Sequence, residues 1–297
     1  MDWDKLKSFH AAAEAGSLTG AADALRLSQS AVSRQIAALE EDLGVKLFHR
    51  HARGLIPTEP GQLLYKVAHD ISSKVALAEA MVTDSRDKPS GDLRVTAPIA
   101  LGSIWLAPRL AKFNAAYPDI RIHLMLDDRE LDIAGLEADC AIRPWPSTQN
   151  DLIQRKLMQV RQHMYAGRAY LDRKGAPKSV DELNSHDFIH YGPPHLAPIP
   201  HLDWAARAGL KEGADIRPAT IEANSIMAIV KASEAGLGIA GLPDYVTREN
   251  DRLMRVLPDI EGPAFEVYFV YPSELRGTSR VTVFRNFLLA EARLDER

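Results

Sequence analysis

The sequence predicts a multidomain α+β protein with a small helical N-terminal domain, one long helix and a two-lobed α/β domain. In residues 1–60, apolar side chains recur at helical spacing in three short segments. One long apolar stripe follows, and from residue 91 strand-like segments alternate with helix-like ones, which is typical of parallel sheets covered by helices. The 297 residues are enough for two or three such domains.

Three short helices are predicted in residues 1–44. Their apolar positions are Leu6 and Phe9, then Ala21, Ala22 and Leu25, then Val32, Ile36 and Leu39. Ser17 and Ser28 are good N-caps just before the second and third stripes, and Gly16 can end the first helix. Because just Arg26 and Leu27 separate the second helix from the Ser28 cap, the last two helices form a tight pair of the helix-turn-helix kind.

The third helix begins with polar side chains opposite its apolar face. In a helix-turn-helix this end enters the major groove of DNA, where Gln pairs with adenine and Arg with guanine. Gln29, Ser33 and Arg34 are therefore the predicted base-reading residues, and Gln35 is predicted to reach a phosphate. The predicted DNA contacts from the helix pair are Thr19, Ser28, Gln29, Ser30, Ser33, Arg34 and Gln35.

Residues 45–56 contain two short apolar runs around a basic tip with a glycine, which predicts a hairpin wing. Arg50 and Arg53 are expected along the phosphate backbone or in the minor groove. Residues 1–60 hold seven basic and eight acidic side chains, so net charge leaves open a helical bundle with merely solvated polar residues. The distribution of basic residues favours DNA binding, because five of them bracket the surface that is predicted to face the groove. They are Arg26, Arg34, Lys46, Arg50 and Arg53.

A long helix is predicted to start at Thr58, which can cap it, with Pro60 in its first turn. Its apolar stripe is Leu64, Val67, Ile71, Val75, Ala78 and Val82. The stripe can pack against a second subunit or against its own domain. Dimerisation is favoured, because a two-fold dimer presents two recognition helices to a two-fold DNA site. Residues 85–91 are predicted to be a hinge linker.

From residue 91 onward, predicted strands alternate with predicted helices. The predicted strands are 93–97, 120–124, 139–142, 188–191, 219–222, 238–243 and 265–270; the predicted helices are 104–116, 133–137, 225–235 and 281–292. Ligands of open α/β sheets bind at the carboxyl ends of strands and near helix N-termini. The predicted ligand residues at such positions are Pro98, Ile99, Ala100, Ser103, Arg143, Asn224 and Ser225.

A small anion would suit these predicted ligand positions, which offer strand ends, helix starts and one arginine. Arg143 has an alternative role as an ion-pair partner of Asp139 or another acid. The sequence is compatible with both roles of Arg143, ligand binding and ion pairing.

The DNA-binding segment is similar to the winged helix-turn-helix of LysR-type transcriptional regulators. The resemblance rests on segments 17–25, 28–36, 39–40, 43–44 and 47–50. It implies a two-lobed α/β effector domain that resembles a periplasmic binding protein. It also implies a homodimer or dimer of dimers (homotetramer) that binds promoter DNA, a small-molecule effector and RNA polymerase. This chain departs from many members, which carry Ser or Thr directly after the first strand, because Ile99, Ala100 and Leu101 precede Ser103.

The expected domains are residues 1–60 for the winged helix-turn-helix, 61–90 for the linker and dimerisation helix, and 91–297 for the effector domain. Its first lobe is expected at about 91–161 plus 267–297, and its second at about 162–266. The alternative function is a constitutive DNA-binding protein with a non-functional ligand cleft. An enzyme is not expected, because the sequence has no G-x-S-x-G nucleophile and no paired-carboxylate or metal-ligand spacing.

Three other patterns are interpreted as structural. The G-x-G-x-x-G match at residues 236–241 follows a predicted helix rather than a strand, so no dinucleotide cofactor is expected. A polar loop accounts for His186, His190, His195 and His201 better than a metal site does. Cys140, the single cysteine, is predicted to be a small buried residue; with one thiol, sulfenylation or an intersubunit bond is the remaining redox alternative.

A cytoplasmic location without a membrane partner is expected. No apolar run approaches the length of a membrane span, and residues 1–5 lack a signal-peptide pattern. A single cysteine suits a reducing compartment.

The Arg53→Ala variant is expected to weaken binding to target and scrambled DNA alike, because phosphate contacts carry no sequence information. The slope of log binding constant against log salt concentration should fall in magnitude by about 1. Fluorescence anisotropy titrations of both duplexes over a salt series measure this. A loss confined to the target duplex would show that Arg53 reads bases instead.

Overall fold

The computed structural model describes residues 2–51, 54–83, 88–133, 137–149, 151–192, 202–211, 213–248 and 250–295. The chain forms two compact units, Met1–Thr83 and Asp84–Arg297. Each unit has its own sheet structure and core.

The first unit contains the predicted helices and hairpin. They are α1 (Trp3–Ala15), α2 (Leu18–Leu25), α3 (Gln29–Leu43), β1 (Phe48–His51), β2 (Gly54–Pro57) and α4 (Glu59–Thr83). The predicted caps are confirmed, since Ser17 Oγ accepts the Gly20 amide at 3.1 Å and Ser28 Oγ accepts the Ala31 amide at 3.2 Å. Gly16 ends α1 with φ of 63°. Arg26 also takes a left-handed conformation, with φ of 53°, which makes the sharp turn between α2 and α3.

The predicted three-helix core is confirmed. Phe9, Ala12, Ala21, Val32 and Leu39 have no exposed surface. The wing joins this core, because the rings of Phe9 and Phe48 lie 5.1 Å apart between centroids. Ala21 and Ala22 are small and buried in this core, so they let α2 approach its neighbours closely.

A buried glutamate attaches the wing to the recognition helix α3. Glu40 Oε1 accepts the Leu47 amide at 2.9 Å and the Phe48 amide at 3.4 Å, and its other oxygen accepts Lys46 Nζ at 2.7 Å. Burial raises the pKa of Glu40, but these three hydrogen bonds together outweigh burial and hold the pKa below the usual glutamate range. The ionised carboxylate therefore belongs to the folded state.

Two glycines allow close backbone contacts around the wing. Gly54 has φ of 129°, and a Cβ there would lie 2.6 Å from the carbonyl oxygen of Gly16. A Cβ at Gly61 would overlap the carbonyl oxygen of Leu47. Thr58 makes the predicted cap of α4 by accepting the Gly61 amide at 3.1 Å, and it donates to the Lys46 carbonyl at 2.7 Å. The wing is thus held between α1, α3 and the start of α4.

The stripe of α4 divides between the two alternatives. Leu64, Ala68 and Ile71 pack on the core of their own unit. Leu63 and Val67 point away from that core, with 70% and 47% of their surface exposed. Packing within the domain therefore accounts for part of the predicted stripe, and the exposed face is shifted to include Leu63. The side chain of Val82 is not among those described.

The second unit contains the alternating strands and helices. Its strands are β3 (Gly91–Ala97), β4 (Ile120–Leu126), β5 (Cys140–Arg143), β6 (Leu152–Val160), β7 (Gln162–Gly167), β8 (Phe188–Tyr191), β9 (Ala219–Ala223), β10 (Ile239–Pro243), β11 (Leu253–Arg255) and β12 (Phe265–Pro272). Its α-helices are α5 (Ala107–Ala116), α6 (Arg168–Lys174), α7 (Trp204–Arg207), α8 (Ile226–Glu234), α9 (Asp244–Thr247) and α10 (Ser279–Asp295). A π-helical turn, Leu101–Leu106, leads into α5, and 3₁₀ turns form at Asp181–Ser185 and Ser273–Gly277.

These strands form two mixed sheets, one for each predicted lobe. The first has the order β4-β3-β5-β12-β6, with β3 parallel to both neighbours and β12 antiparallel to its own. The second has the order β11-β7-β10-β8-β9, with β10, β8 and β9 parallel to one another. Arg161 alone separates β6 from β7, which lie in different sheets. The chain returns to the first sheet before β12, and its last helix follows that strand.

The sequence-based assignment missed β6, β7 and β11 and the helices α6, α7 and α9. It placed the start of the first helix at residue 104, inside the π-helical turn Leu101–Leu106 that precedes α5. β7 has six consecutive buried residues, so it lacks the alternation that marks a half-buried strand. The predicted helix 133–137 falls largely on residues 134–136, and the hinge 85–91 partly on residues 84–87; both stretches lie outside the described residues.

The Glu40→Gln variant is expected to lower the free energy of opening of α3 by about 1 to 3 kcal/mol at neutral pH, because charge-assisted hydrogen bonds become neutral ones. Since the folded pKa of Glu40 lies below the unfolded value, wild type gains this stability above the unfolded pKa and loses it as the pH falls through the folded pKa. The two proteins should therefore converge in acid.

Hydrogen exchange of the α3 amides, corrected for intrinsic rates at each pH, measures this difference. Glu41→Gln, which removes an exposed neighbouring charge, is the matched control. An equal effect of the two substitutions would mean that the buried contacts of Glu40 contribute nothing specific.

Candidate DNA interface and effector cleft

The polar start of α3 is exposed, as a DNA-reading surface requires. Ser28, Gln29, Ser30 and Arg34 are all exposed, and Thr19 is exposed near the start of α2. Ser33 is partly buried one turn further along. Ser28 Oγ lies 3.0 Å from Ser30 Oγ while it caps α3, so these hydroxyls stiffen the helix start. Gln29 and Arg34 project from a well-anchored helix end.

Gln35 differs from the other predicted contacts. Its side-chain oxygen accepts a hydrogen bond from Ser8 Oγ, and Ser8 is buried in α1. This bond fixes the side chain across the helix interface, so Gln35 contributes to the packing of α1 on α3. A phosphate contact from Gln35 would have to use its amide group, which is a donor.

The wing is an antiparallel hairpin in which His51 lies opposite Gly54 and Arg50 lies opposite Leu55. The side chain of Arg50 and all of Arg53 lie outside the described residues, so their roles stay predictions. Lys46, which the sequence grouped with them, forms an ion pair with Glu40, and its side chain stays largely exposed.

A cleft lies between the two sheets of the second unit. Its walls come from the ends of strands in both sheets, with Pro98 after β3, Asp128 after β4, Tyr191 at the end of β8 and Pro243 at the end of β10. The described lining residues are Pro98, Ala100, Leu101, Asp128, Pro144, Tyr191, Leu202, Ile226, Pro243, Tyr245 and Phe265. This is the position that the rule about carboxyl ends of strands predicts for a ligand.

The cleft is narrow and mainly apolar. Its cavity volume is about 30 Å³, enough for about two water molecules. An organic ligand therefore needs the lobes to separate or side chains to move before it can enter.

Asp128 is the one acid among the described lining residues. Its Oδ1 accepts the Ile99 amide at 3.0 Å. Burial raises the pKa of Asp128, the Ile99 hydrogen bond partly opposes this, and the charge of Asp127 raises it further. Burial also raises the pKa of the Tyr191 and Tyr245 phenols, and the nearby Asp128 charge adds to both shifts. The two tyrosines are thus neutral groups at neutral pH.

The predicted ligand residues divide into those that line the cleft and those that do not. Pro98 and Ala100 line it, and Ile99 contributes its amide to Asp128. Ser103 is exposed on the π-helical turn and is not part of the described lining. Asn224 accepts the Tyr191 hydroxyl at its carbonyl oxygen, at 2.9 Å. Ser225 immediately precedes Ile226, which lines the cleft.

Arg143 is almost fully buried and does not pair with Asp139. Its Nη1 donates to the Arg129 carbonyl at 3.3 Å, and its guanidinium lies 5.8 Å from the centre of the Trp145 ring. Asp139 pairs with Arg94 instead, at 3.2 Å. The alternative ion pair between Arg143 and Asp139 was therefore wrong. The buried Nη2 of Arg143 has no hydrogen-bond partner among the described residues, and the ligand-binding role of Arg143 stays a prediction.

Sequence reasoning missed Asp128, Tyr191, Tyr245, Leu202 and Phe265. The signal for three of them was present. Asp128 follows a predicted strand, Tyr191 ends one, and Tyr245 comes two residues after another. The same rule that selected Pro98 and Arg143 selects them, once it is applied to every strand.

A second cavity, of about 440 Å³, lies elsewhere between the lobes. Near it, Asp295 at the end of α10 accepts Trp105 Nε1 at 2.5 Å and Arg109 at 2.8 Å. Arg248, which follows α9 in the other lobe, lies 2.9 Å from the same carboxylate. Asp295 thus joins the π-helical turn of one lobe to the other lobe.

The three patterns that were interpreted as structural have different outcomes. The polar-loop interpretation was wrong for His190, which is buried in β8. Cys140 is fully buried, and burial raises the pKa of its thiol. Residues 236–241 connect α8 to β10, the reverse of a dinucleotide-binding order. The described residues contain no cluster of three or more candidate metal ligands; His195 and His201 lie outside them. No helix in the described parts of the chain is long and apolar enough to cross a membrane.

The fold and these two surfaces define a class, namely a DNA-binding winged helix-turn-helix joined to a two-lobed α/β ligand domain. Residues 3–62 match the family model of the bacterial regulatory helix-turn-helix protein, lysR family, and residues 86–293 match that of the LysR substrate binding domain. The chain belongs to the LysR family of bacterial transcriptional regulators.

Relatives match over nearly the whole chain. An HTH-type transcriptional regulator of Xanthomonas campestris pv. campestris (strain 8004) is 30% identical over 95% of this chain and 83% of its own length. The structure of CrgA, a LysR-type transcriptional regulator from Neisseria meningitidis, is similar with a TM-score of 0.61 and 28% identity, over 98% of this chain and 99% of that one. The full-length structure of AphB, a Vibrio cholerae virulence activator, has a TM-score of 0.62 and 28% identity over the same shares.

The Arg34→Ala variant is expected to lose about 1 to 3 kcal/mol of binding free energy on the target site and to relax preference at one base position, because a bidentate contact to guanine is lost. Gln29→Ala should do the same at an adenine. Selection of bound sequences from a random duplex pool, followed by anisotropy titrations, measures both effects.

Arg121→Ala, which removes an exposed arginine from β4 in the other unit, is the matched control. Unchanged affinity and sequence preference in Arg34→Ala would show that α3 does not dock with its N-terminal end in the groove.

Proposed function

We propose that this regulator recognises promoter sites through the start of α3 and that a small-molecule effector between the lobes modulates its activity. One observation carries the proposal: the cleft is lined by strand ends of both sheets, so a ligand there contacts both lobes at once. A ligand with different affinities for two lobe arrangements shifts their populations, and the DNA-bound form can respond.

The proposed molecule is a homodimer or a dimer of dimers. Leu63, Val67 and Val75 form an exposed apolar face on α4, with 37% to 70% of their surface exposed. A second copy of α4 is the partner that would bury this face and place two recognition helices on one two-fold site. RNA polymerase is the proposed partner on the promoter, where a change in DNA bending or dimer position would act on it.

The contacts of Asp295 support a cleft with two arrangements. Arg248 reaches Asp295 from the opposite lobe, whereas Trp105 and Arg109 reach it from its own lobe. Separation of the lobes breaks the first contact and leaves the other two in place. Opening must also break the apolar contacts that Ile104 and Trp145 of the first lobe make with the core of the second lobe.

The alternative function is a constitutive DNA-binding protein with a silent cleft. About 30 Å³ does not hold an organic molecule. The two functions differ in one measurable respect, because a silent cleft has no ligand that changes both stability and DNA affinity. Selection from sheared genomic DNA identifies the sites, and their neighbouring genes give the effectors to be screened.

The Arg248→Ala variant is expected to change DNA affinity or DNA bending without any effector, because it removes the contact between lobes. An ion pair of this exposure contributes about 0.2 to 1 kcal/mol, so the affinity should change by up to about fivefold. Anisotropy and gel mobility on bent and straight target duplexes measure both quantities.

The control is Arg252→Ala, because Arg252 is also exposed but lies 4.0 Å from Glu234 of its own lobe. If wild type and both variants bind DNA identically, the arrangement of the lobes has no effect on DNA recognition. That result would support the constitutive function.

A further inference from the structure

We propose that the cleft selects an organic cation, an apolar molecule with a protonated amine, and that Asp128 is its acceptor. This inference rests on the proposed effector site and adds the chemical class of the effector. It replaces the anion that the sequence suggested.

The Asp128 carboxylate lies in the wall of the cleft. One oxygen accepts the Ile99 amide, which orients the group in the cleft wall. Among the residues that the structure describes, no donor reaches the second oxygen. A carboxylate accepts through both oxygens, so this one is available to an ammonium group.

No Lys or Arg is among the described residues that line the cleft. Arg129 forms an ion pair with Asp127 at 2.8 Å. Arg143 donates through Nη1 to the Arg129 carbonyl; its buried Nη2 has no hydrogen-bond partner among the described residues, and Arg143 is not part of the described lining. An anion placed beside Asp128 would therefore meet a negative charge that no cation of the described lining offsets.

The other described walls of the cleft are aromatic or apolar. The Tyr191 hydroxyl donates its hydrogen to the backbone carbonyl of Asn224. The phenol oxygen of Tyr191 is therefore left to accept a hydrogen bond rather than to donate one. Tyr191, Tyr245 and Phe265 supply aromatic rings, whose faces attract cations. The other described lining residues are apolar and can hold a hydrocarbon group: Pro98, Ala100, Leu101, Leu202, Ile226 and Pro243 among them.

Burial raises the pKa of Asp128 because water is scarce around the charge. A bound ammonium would supply the missing stabilisation of that charge. This agrees with the geometry, in which the carboxylate has one protein donor and one open oxygen.

The test uses three probes with the same ring: benzylamine, benzyl alcohol and benzoate. Each is added to the purified full-length protein in a thermal-shift and calorimetric titration. Benzylamine is expected to raise the melting temperature and to release heat at one site per chain, benzyl alcohol to do so more weakly, and benzoate to give no shift. This comparison within wild type needs no variant.

The Asp128→Asn variant should lose at least tenfold in affinity for benzylamine and keep its weak affinity for benzyl alcohol. Glu130→Gln, which removes an exposed acid two residues away and outside the described lining, is the matched control and should behave as wild type. Shifts are compared with the ligand-free form of each protein.

The proposal is overturned if benzoate binds wild type as well as benzylamine does, if Asp128→Asn leaves the benzylamine affinity unchanged, or if no amine binds. Fluorescence anisotropy titrations with target DNA distinguish a failure of the proposed ligand class from a failure of the proposed function. Amine binding through Asp128 without any effect on DNA would support the ligand class and contradict modulation. Benzoate binding that alters DNA affinity would support modulation and contradict the ligand class.

Discussion

The ligand domain depends on how the chain passes between its two sheets. β6 and β7 belong to different sheets and are separated by Arg161 alone, and the return passage enters β12 next to β5 and β6. Because the crossing points are short, the two sheets stay adjacent and the carboxyl ends of β3, β4, β8 and β10 all contribute to one cleft.

In the DNA-binding unit the corresponding constraint is the buried carboxylate of Glu40. Around this carboxylate the last turn of α3 meets the start of the wing. Thr58 then connects the backbone of Lys46 to the first turn of α4. Gly54 and Gly61 permit the backbone to approach within this small volume. The recognition helix, the wing and the long helix are therefore fixed relative to one another by a few polar contacts around a small apolar core.

The cleft shows how similar scaffolds can acquire different ligand chemistry. Its backbone positions are those of an open α/β ligand site, and the Ile99 amide points at an acceptor as the amides of such sites do. Here the amide is occupied by Asp128 of the same chain rather than left to an external anion. A single carboxylate after β4 thus places a negative charge at the position where this fold offers a backbone amide to a ligand, which is the basis of the proposed preference for a cation.

The sequence alone determined the first unit and the alternation of the second, because caps, periodic apolar residues and glycine turns act over a few neighbours. Ser17, Ser28 and Gly16 have the roles that local chemistry gives them, and the strands around Val95 and Ile239 are marked by their own composition. Tertiary structure decided what depends on distant residues: that Gln35 bonds to Ser8, that Arg143 has no acid partner in Asp139, that α4 buries Leu64 and exposes Leu63, and that Asp128 enters the cleft. The physical reason is that hydrogen-bond partners, burial and charge compensation are properties of the packed chain, and side chains far apart in sequence acquire them when the sheets and helices come together.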